Sequence, residues 1–312
     1  MHMTPYKVVI SGATGLIGSR LVEKLAERGT PVTVLSRHPR AARTHFPAAR
    51  FPHVTVEGYS PFDPETIAPA LVGASAVVHL AGEPIAARWT PEVRTAIRNS
   101  REIGTRALVT AITGMSNRPA TLISASACRY YGVSASARFG EESPPGPPGD
   151  FLTDTTHLWE AQAQLASGQG VRVVILRFGI TLAVTKKGRA TLKRLHPFLG
   201  GRVGSGQQWV SWIHREDAVA ILLSALDTPE MRGAYNATSP NPVKMSQVTD
   251  AFARAAHGFF RVPVPSMVIR HLLGDGATVI LDGQRVHPDR LLAEGFHFRF
   301  PQIGPAVYDI LS

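Results

Sequence analysis

Residues 8–18 read Val8-Val9-Ile10-Ser11-Gly12-Ala13-Thr14-Gly15-Leu16-Ile17-Gly18, and this stretch decides the fold. Three apolar residues make a short buried strand. Gly12, Gly15 and Gly18 follow at a spacing of three. Leu21, Val22 and Leu25 then share one face of a helix that Gly29 ends. In a strand–turn–helix unit of this kind, the first glycine permits the tight turn. The second lets backbone approach a pyrophosphate, and the third lets helix and strand pack closely. The helix N-terminus adds free amides and a partial positive charge. A dinucleotide is the expected ligand of the turn.

Working outward, Val32–Leu35, Val54–Val56, Ala76–Ala81, Thr121–Ser124 and Val171–Phe178 read as further strands. Helical patterns run from about Pro91 to Thr113 and from Phe151 to Ala166. Nearly continuous apolar strands alternating with amphipathic helices predict a parallel sheet covered on both faces. The fold class is therefore α/β, a doubly wound (Rossmann) parallel sheet, with ligands at the carboxyl ends of its strands. The second half carries a glycine-rich loop at 200–206, a strand over Trp209–His214 and a helix over Asp217–Leu226. Composition shifts near Arg261-Val262-Pro263-Val264-Pro265. We divide the chain into a cofactor-binding domain over 1–256, with a substrate lobe mainly from 180–256, and a small C-terminal module over 257–312.

Composition narrows the function. The chain has 312 residues, 44% hydrophobic and 18% charged, which is ordinary for a globular protein. No apolar run approaches the ~18 residues of a membrane span, and the N-terminus leads straight into a strand, so a cytoplasmic protein is expected. Cys128 is alone, which excludes an internal disulfide and a multi-cysteine metal site. The 12 histidines form no HExxH or comparable ligand spacing, so no metal is expected. The net charge of +10 suits anionic partners. The basic residues are scattered, however, and the densest patch (Lys186, Lys187, Arg189, Lys193, Arg194) lacks interleaved aromatics, so nucleic acid is not an expected partner. Lys186, Lys187 and Arg189 could instead reach a substrate's phosphates. Trp209, Trp212, Phe259 and Phe260 are either core or stacking surfaces for a base or sugar.

The end of the second strand selects the cofactor. A site preferring NAD has an acid there for the ribose 2′-hydroxyl. This chain has Ser36-Arg37-His38. A hydroxyl and a guanidinium with no carboxylate nearby fit a 2′-phosphate, so NADP(H) is expected.

Longer motifs add a resemblance. SGATGLIG at 11–18, VTVLSR at 32–37, VVHLAGEPIAARW at 77–89 and IRNSREIGTRAL at 97–108 carry it, with SASACRYYG at 124–132, LRFGITL at 176–182 and GSGQQWVSWIHREDAV at 204–219. The chain resembles the extended short-chain dehydrogenase/reductases. Within them it is similar to an atypical "epimerase family" group with a small C-terminal domain of unknown function, marked here by LLGDGATVILDGQRVHPDRLLAEGF at 272–296. It looks most like the cyanobacterial and plastid branch, members of which are linked to cell and plastid division. The resemblance implies that Gly12, Thr14, Gly15, Leu16 and Ile17 wrap the pyrophosphate and that Ser36 and Arg37 hold the adenosine ribose phosphate. It further implies that Leu80, Ala81, Gly82 and Glu83 line the cofactor, that Arg101 touches it, and that Ile180 packs near the nicotinamide.

The catalytic pattern of that superfamily is a Tyr and a Lys four residues apart on the helix after strand five. Here Thr156 stands at the Tyr position and Glu160 at the Lys position. A Thr hydroxyl does not replace a tuned phenol, and a carboxylate opposes ionisation of a neighbouring acid. The remaining acid–base candidates are Ser126 at the end of strand five, Tyr130 or Tyr131 just after it, and Glu160 if burial raises its pKa. The leading expectation is an NADP(H)-dependent epimerase or reductase acting on a nucleotide sugar or other carbonyl substrate. The competing one is a cofactor-binding regulator with little catalysis and a division protein as partner.

Overall fold

The computed structural model describes residues 6–183, 201–256 and 263–312. Lys186, Lys187, Arg189, Phe259 and Phe260 lie outside the described residues, and the division placed between 256 and 257 falls at their edge.

In chain order the first half runs β1 (Lys7–Ser11), α1 (Leu16–Glu27), β2 (Val32–Ser36), α2 (Pro39–His45), β3 (Val54–Gly58), α3 (Pro64–Leu71), β4 (Ala74–His79), α4 (Pro91–Thr113), β5 (Thr121–Ala127), β6 (Arg138–Phe139) and α5 (Phe151–Gln164). α3, α4 and α5 begin where the sequence supplies caps. Thr90 Oγ1 accepts from the Val93 amide ahead of Pro91, and the Asp150 carboxylate accepts from the Thr153 amide. α1 differs: its N-cap is Gly15, with no side-chain bond, so no cap side chain accepts from its first-turn amides.

The second half runs β7 (Arg172–Phe178), β8 (Ile180–Leu182), β9 (Trp209–Val210), β10 (Trp212–His214), α6 (Arg215–Asp227), β11 (Gly233–Ala237), β12 (Val243–Lys244) and α7 (Met245–Ala255). It ends with α8 (Ser266–Leu273), α9 (Thr278–Leu281), β13 (Arg285–Val286), α10 (Asp289–Ala293) and α11 (Ile303–Leu311).

Seven strands form one parallel sheet in the order β11-β7-β5-β4-β1-β2-β3. Alternate residues of each strand feed opposite cores, as the period of a strand requires. Val8, Ile10, Val34, Val78 and Leu176 pack under α1 and α6. Val9, Val77, Leu122 and Val173 pack under α3 and α4. Each such side chain contributes roughly 1.5–3 kcal/mol on full burial. The doubly wound expectation is what the sheet shows.

Two readings need correcting. The stretch 209–214 is two strands, not one. Ser211 breaks it: its carbonyl accepts from the Ile180 amide at 2.8 Å, so β10 pairs with β8 while β9 turns to pair antiparallel with β12. The outer strand β11, Gly-Ala-Tyr-Asn-Ala, went unread because it has no apolar run.

The C-terminal stretch is tied closely to the rest. β13 pairs with β6, and α11 packs on α7 through Ala306 and Val248. The Asp217 carboxylate accepts from the Arg299 and Phe300 amides at 2.7 and 3.0 Å.

Candidate active site

The turn after β1 is shaped by close approach. Gly12 has a φ of +74°, and a Cβ there would sit 2.6 Å from the Leu80 carbonyl carbon. Only glycine lets this turn pass the end of β4. The Gly15 amide donates to the Gly12 carbonyl at 3.0 Å, and the helical ladder begins with Ser19 donating to Gly15 at 3.0 Å. The amides of Leu16 and Ile17 precede that first helical bond, and with the α1 dipole they make an anion site. Behind them, Ser11 Oγ and His79 Nδ1 lie 2.6 Å apart, and His79 Nε2 is 3.1 Å from Thr105 Oγ1. Burial, helped by the Arg101 charge, lowers the His79 pKa to about 4, so the imidazole is neutral.

Two cavities flank the turn. One, of about 250 Å³, is lined by Thr14, Ser36, Arg37, Ala81, Gly82 and Glu83. The other, of about 400 Å³, is lined by Leu16, Ile17, Gly18, Arg101, Ser126 and Ile180, among others. Gly12, Gly15 and Leu80 belong to both walls, so the two join into one trough over the turn. Every cofactor-binding residue read from the sequence lies along it. The α1 residues Leu16 and Ile17 lie between the Arg37 end and the Ser126 end of this trough.

One expectation is overturned. Arg37 was read as free of carboxylates, yet its Nη1 donates to Glu83 Oε1 at 2.6 Å. The sheet order explains this. β4 and β2 flank β1, so the loop after β4 reaches across the end of β1 to β2 from 46 residues away.

Arg101, on α4, donates to the carbonyls of Glu83 and Ile97, both at 3.1 Å, and lies 5.1 Å over the Trp159 ring. Burial lowers its pKa to about 10, opposed by the charge of Glu83. The buried Trp159 indole N–H has no partner among the described residues.

On the catalytic side, Thr156 lines the larger cavity, but its hydroxyl donates back to the Leu152 carbonyl at 2.7 Å. Ser126, from the end of β5, also lines it and donates to Glu160 Oε1 at 2.5 Å. Glu160 is buried and bound on both oxygens by Arg177, Nε to Oε1 and Nη2 to Oε2, each at 2.9 Å. Arg177 Nη1 donates to the Tyr131 hydroxyl at 2.8 Å, and that hydroxyl donates to Asn236 Oδ1 at 2.8 Å. Burial raises the Tyr131 pKa despite Arg177, and the ring stacks on Phe139 at 5.3 Å. Tyr131 does not line the larger cavity, and Tyr130 borders a separate cleft with His157, Gln164 and the far side of Glu160. Ser126 is thus the candidate brought to the cavity, and Glu160 stands directly behind it. Burial pushes the Cys128 thiol up, away from thiolate chemistry.

Arg177 was missed by the sequence reading. A signal existed: a charge inside the apolar run of β7 must be paired. Arg129 was missed too. It is buried and holds Asp150 through two bonds of 3.0 Å. Burial works against the Asp150 charge, yet Arg129 and Thr153 bring its pKa down to about 2. Trp212 is core, Trp209 lines the larger cavity, and His214 caps α6 by accepting from the Glu216 amide at 3.2 Å. Among the described residues no three His, Cys, Asp or Glu side chains could hold a metal ion, and no helix is long and apolar enough to cross a membrane.

Comparison with known proteins agrees with this geometry. Residues 8–238 match the NAD dependent epimerase/dehydratase family, and residues 264–310 match the Domain of unknown function (DUF1731). The chain is 37% identical over 311 residues to the Arabidopsis thaliana "Epimerase family protein SDR39U1 homolog, chloroplastic", covering 98% of this chain and 86% of that protein. The human epimerase family protein SDR39U1 (isoform 2), crystallised with NADPH, superposes with a TM-score of 0.85 at 30% identity, covering 98% and 99% of the two chains. A nucleoside-diphosphate sugar epimerase from Corynebacterium glutamicum superposes with a TM-score of 0.74 at 31% identity, covering 98% of this chain and 58% of that one. The glycine turn, the parallel sheet and these matches together place the chain in the NAD dependent epimerase/dehydratase family, with the C-terminal domain of unknown function attached.

Proposed function

We propose that the chain binds NADP(H) along the trough and moves a hydride between the nicotinamide and a carbonyl or carbinol carbon, with a nucleotide sugar as the leading substrate class. The observation that carries this is the continuity of the trough from Arg37, past the α1 amides, to Ser126. The human relative crystallised with NADPH and the nucleoside-diphosphate sugar epimerase support it. When bound, the cofactor supplies or accepts the hydride. The chain does the rest. Leu16 and Ile17 bind the pyrophosphate, and Ser36 and Arg37 take the 2′-phosphate, which draws Arg37 partly away from Glu83.

Ser126 handles the proton. Its own proton points at Glu160, so a lone pair is left for the substrate. In carbinol oxidation the substrate O–H bond breaks and its proton passes to Ser126 Oγ, while the Ser126 proton passes to Glu160 Oε1. Carbonyl reduction runs the same steps backwards. Arg177 positions the carboxylate for this. The test is to titrate purified protein with NADPH, then follow nicotinamide absorbance with a panel of nucleotide sugars and simple carbonyl compounds. Turnover of any member supports the reading. Failure to bind NADPH refutes it.

A second reading, a cofactor-binding regulator of division with little catalysis, is favoured by Thr156 and by the Glu160–Arg177 pair in place of the Tyr–Lys couple. NADPH binding without turnover across the panel, together with capture of a tubulin-like division protein, would select it.

A further inference from the structure

The far end of the larger cavity is closed by the C-terminal stretch, not by the sheet. Val279, Asp282, Gly283 and Gln284 form that wall. It is fixed on several sides. The Ile280 carbonyl accepts from Gln208 Nε2 at 3.2 Å, and the Gln284 carbonyl accepts from Ser211 Oγ at 2.8 Å. The Val286 amide donates to that same Ser211 hydroxyl at 2.9 Å, and Arg129 Nη2 donates to Thr278 Oγ1 at 2.7 Å. Gly283 runs so close to β9 that a Cβ would lie 1.9 Å from the Trp209 carbonyl oxygen. These contacts tie the wall to β5's end, β9 and the loop before it.

Its chemistry is specific. Asp282 accepts from the Thr278 hydroxyl through Oδ2, and Oδ2 also lies 3.9 Å from Arg129 Nη2. Its other oxygen has no partner among the described residues. Neither does the Gln284 carboxamide, nor the Thr181 hydroxyl that lines the same cavity. Arg129 is already matched by Asp150, so one guanidinium faces two carboxylates and the Asp282 charge is only partly compensated at the wall, while Lys244 and Arg285 lie over the Trp209 ring of the same cavity. Leu152, Ile180 and Val279 supply apolar surface between these polar groups. A carboxylate and a carboxamide beside apolar surface suit a ring rich in hydroxyls, which offers donors and acceptors together with C–H faces. A phosphoryl or carboxylate group set against the Asp282 carboxylate meets like charge.

We propose that Asp282 and Gln284 are the substrate-recognising residues of this site, binding the hydroxyls of an uncharged sugar-like ring and rejecting rings that carry an acid. This rests on the reading of the cavity as the substrate side of an NADP(H) site. It gives the C-terminal domain a role: it completes the substrate pocket that the nucleotide-binding sheet leaves open.

The test uses the full chain saturated with NADP⁺, with UDP-glucose and UDP-glucuronate as probes in calorimetry. These differ only in a hydroxymethyl group against a carboxylate. UDP-glucose is expected to bind at least about tenfold more tightly, the effect of one like-charge contact in a partly solvated site. Asp282→Asn should reduce that preference to within about threefold, and Gln284→Ala should weaken both ligands several-fold. NADPH affinity should be unchanged in both variants, which also verifies folding. Equal affinity of the parent protein for the two probes, binding of neither, or a preference that survives Asp282→Asn overturns the proposal. Failure of the parent to bind NADPH refutes the cofactor reading instead, so the two failures are distinct.

Discussion

Replacing Arg37 by Ser tests the cofactor assignment at the point where the structure complicates it. Arg37 is 54% exposed in its side chain, and Glu83, its 2.6 Å partner, is 30% exposed. A guanidinium about 4 Å from a phosphate charge gains ~1 kcal/mol in bulk water and ~4 kcal/mol in a surface environment of lower dielectric. Half exposure favours the lower part of that range, about 1–2 kcal/mol. Arg37→Ser should therefore weaken NADPH roughly 5- to 30-fold and leave NADH within about twofold. Glu83→Gln should act in the opposite direction. It removes the competitor for the guanidinium, so NADPH should tighten by about two- to fivefold. Added salt should narrow the NADPH advantage, because an exposed contact is screened. Fluorescence titration of both cofactors against the parent and the two variants measures all of this. If Arg37→Ser weakens NADH as much as NADPH, or leaves NADPH unchanged, the 2′-phosphate is held elsewhere and the reasoning fails.

Three further outcomes are expected. Ser126→Ala should lower kcat about 10²- to 10⁴-fold on any substrate found while the NADPH dissociation constant stays put; steady-state kinetics with a cofactor titration separates the two. Glu160→Gln strands the buried Arg177 and should cost about 3–5 kcal/mol in urea unfolding, whereas the double change Glu160→Gln with Arg177→Met should cost clearly less, because no unpaired charge remains. His79 makes stability depend on pH. Its folded pKa, about 4, lies below the ordinary 6.5, so between those values the unfolded chain binds the proton and the folded one does not. Its contribution is complete above 6.5 and is lost as pH falls toward 4, by about 3 kcal/mol in all. Unfolding curves for the parent and His79→Asn should converge toward pH 4, and parallel curves would show that His79 does not titrate this way.

The cofactor half was legible because its signals are local. Gly12, Gly15 and Gly18 lie within seven residues, and the turn they make needs no partner to be recognised. The long helices α4 and α5 were legible from their amphipathic pattern, while their caps at Thr90 and Asp150 came only with the structure. Short elements were not. β11 carries Gly, Asn and two Ala in five residues, and becomes a strand only because β7 offers it an edge. The catalytic side was half legible. The absence of the Tyr–Lys couple could be read directly, and so could Ser126 and Glu160 as candidates. That Glu160 is neutralised by Arg177 could not, because the two come from α5 and β7 and meet only when the helix lies across the sheet.

By itself the sequence determined the parallel sheet, the nucleotide turn and the loss of the usual catalytic couple, since each follows from residue type at short spacing. Folding decided which charges face each other. Arg37 meets Glu83, Arg129 sits between Asp150 and Asp282, and the stretch 279–284 arrives at a cavity whose other walls lie some 70 to 270 residues earlier. Such contacts depend on strand order and on how the C-terminal elements cross the sheet edge. Electrostatic interaction acts through distance in space, and that distance exists only once the chain has packed.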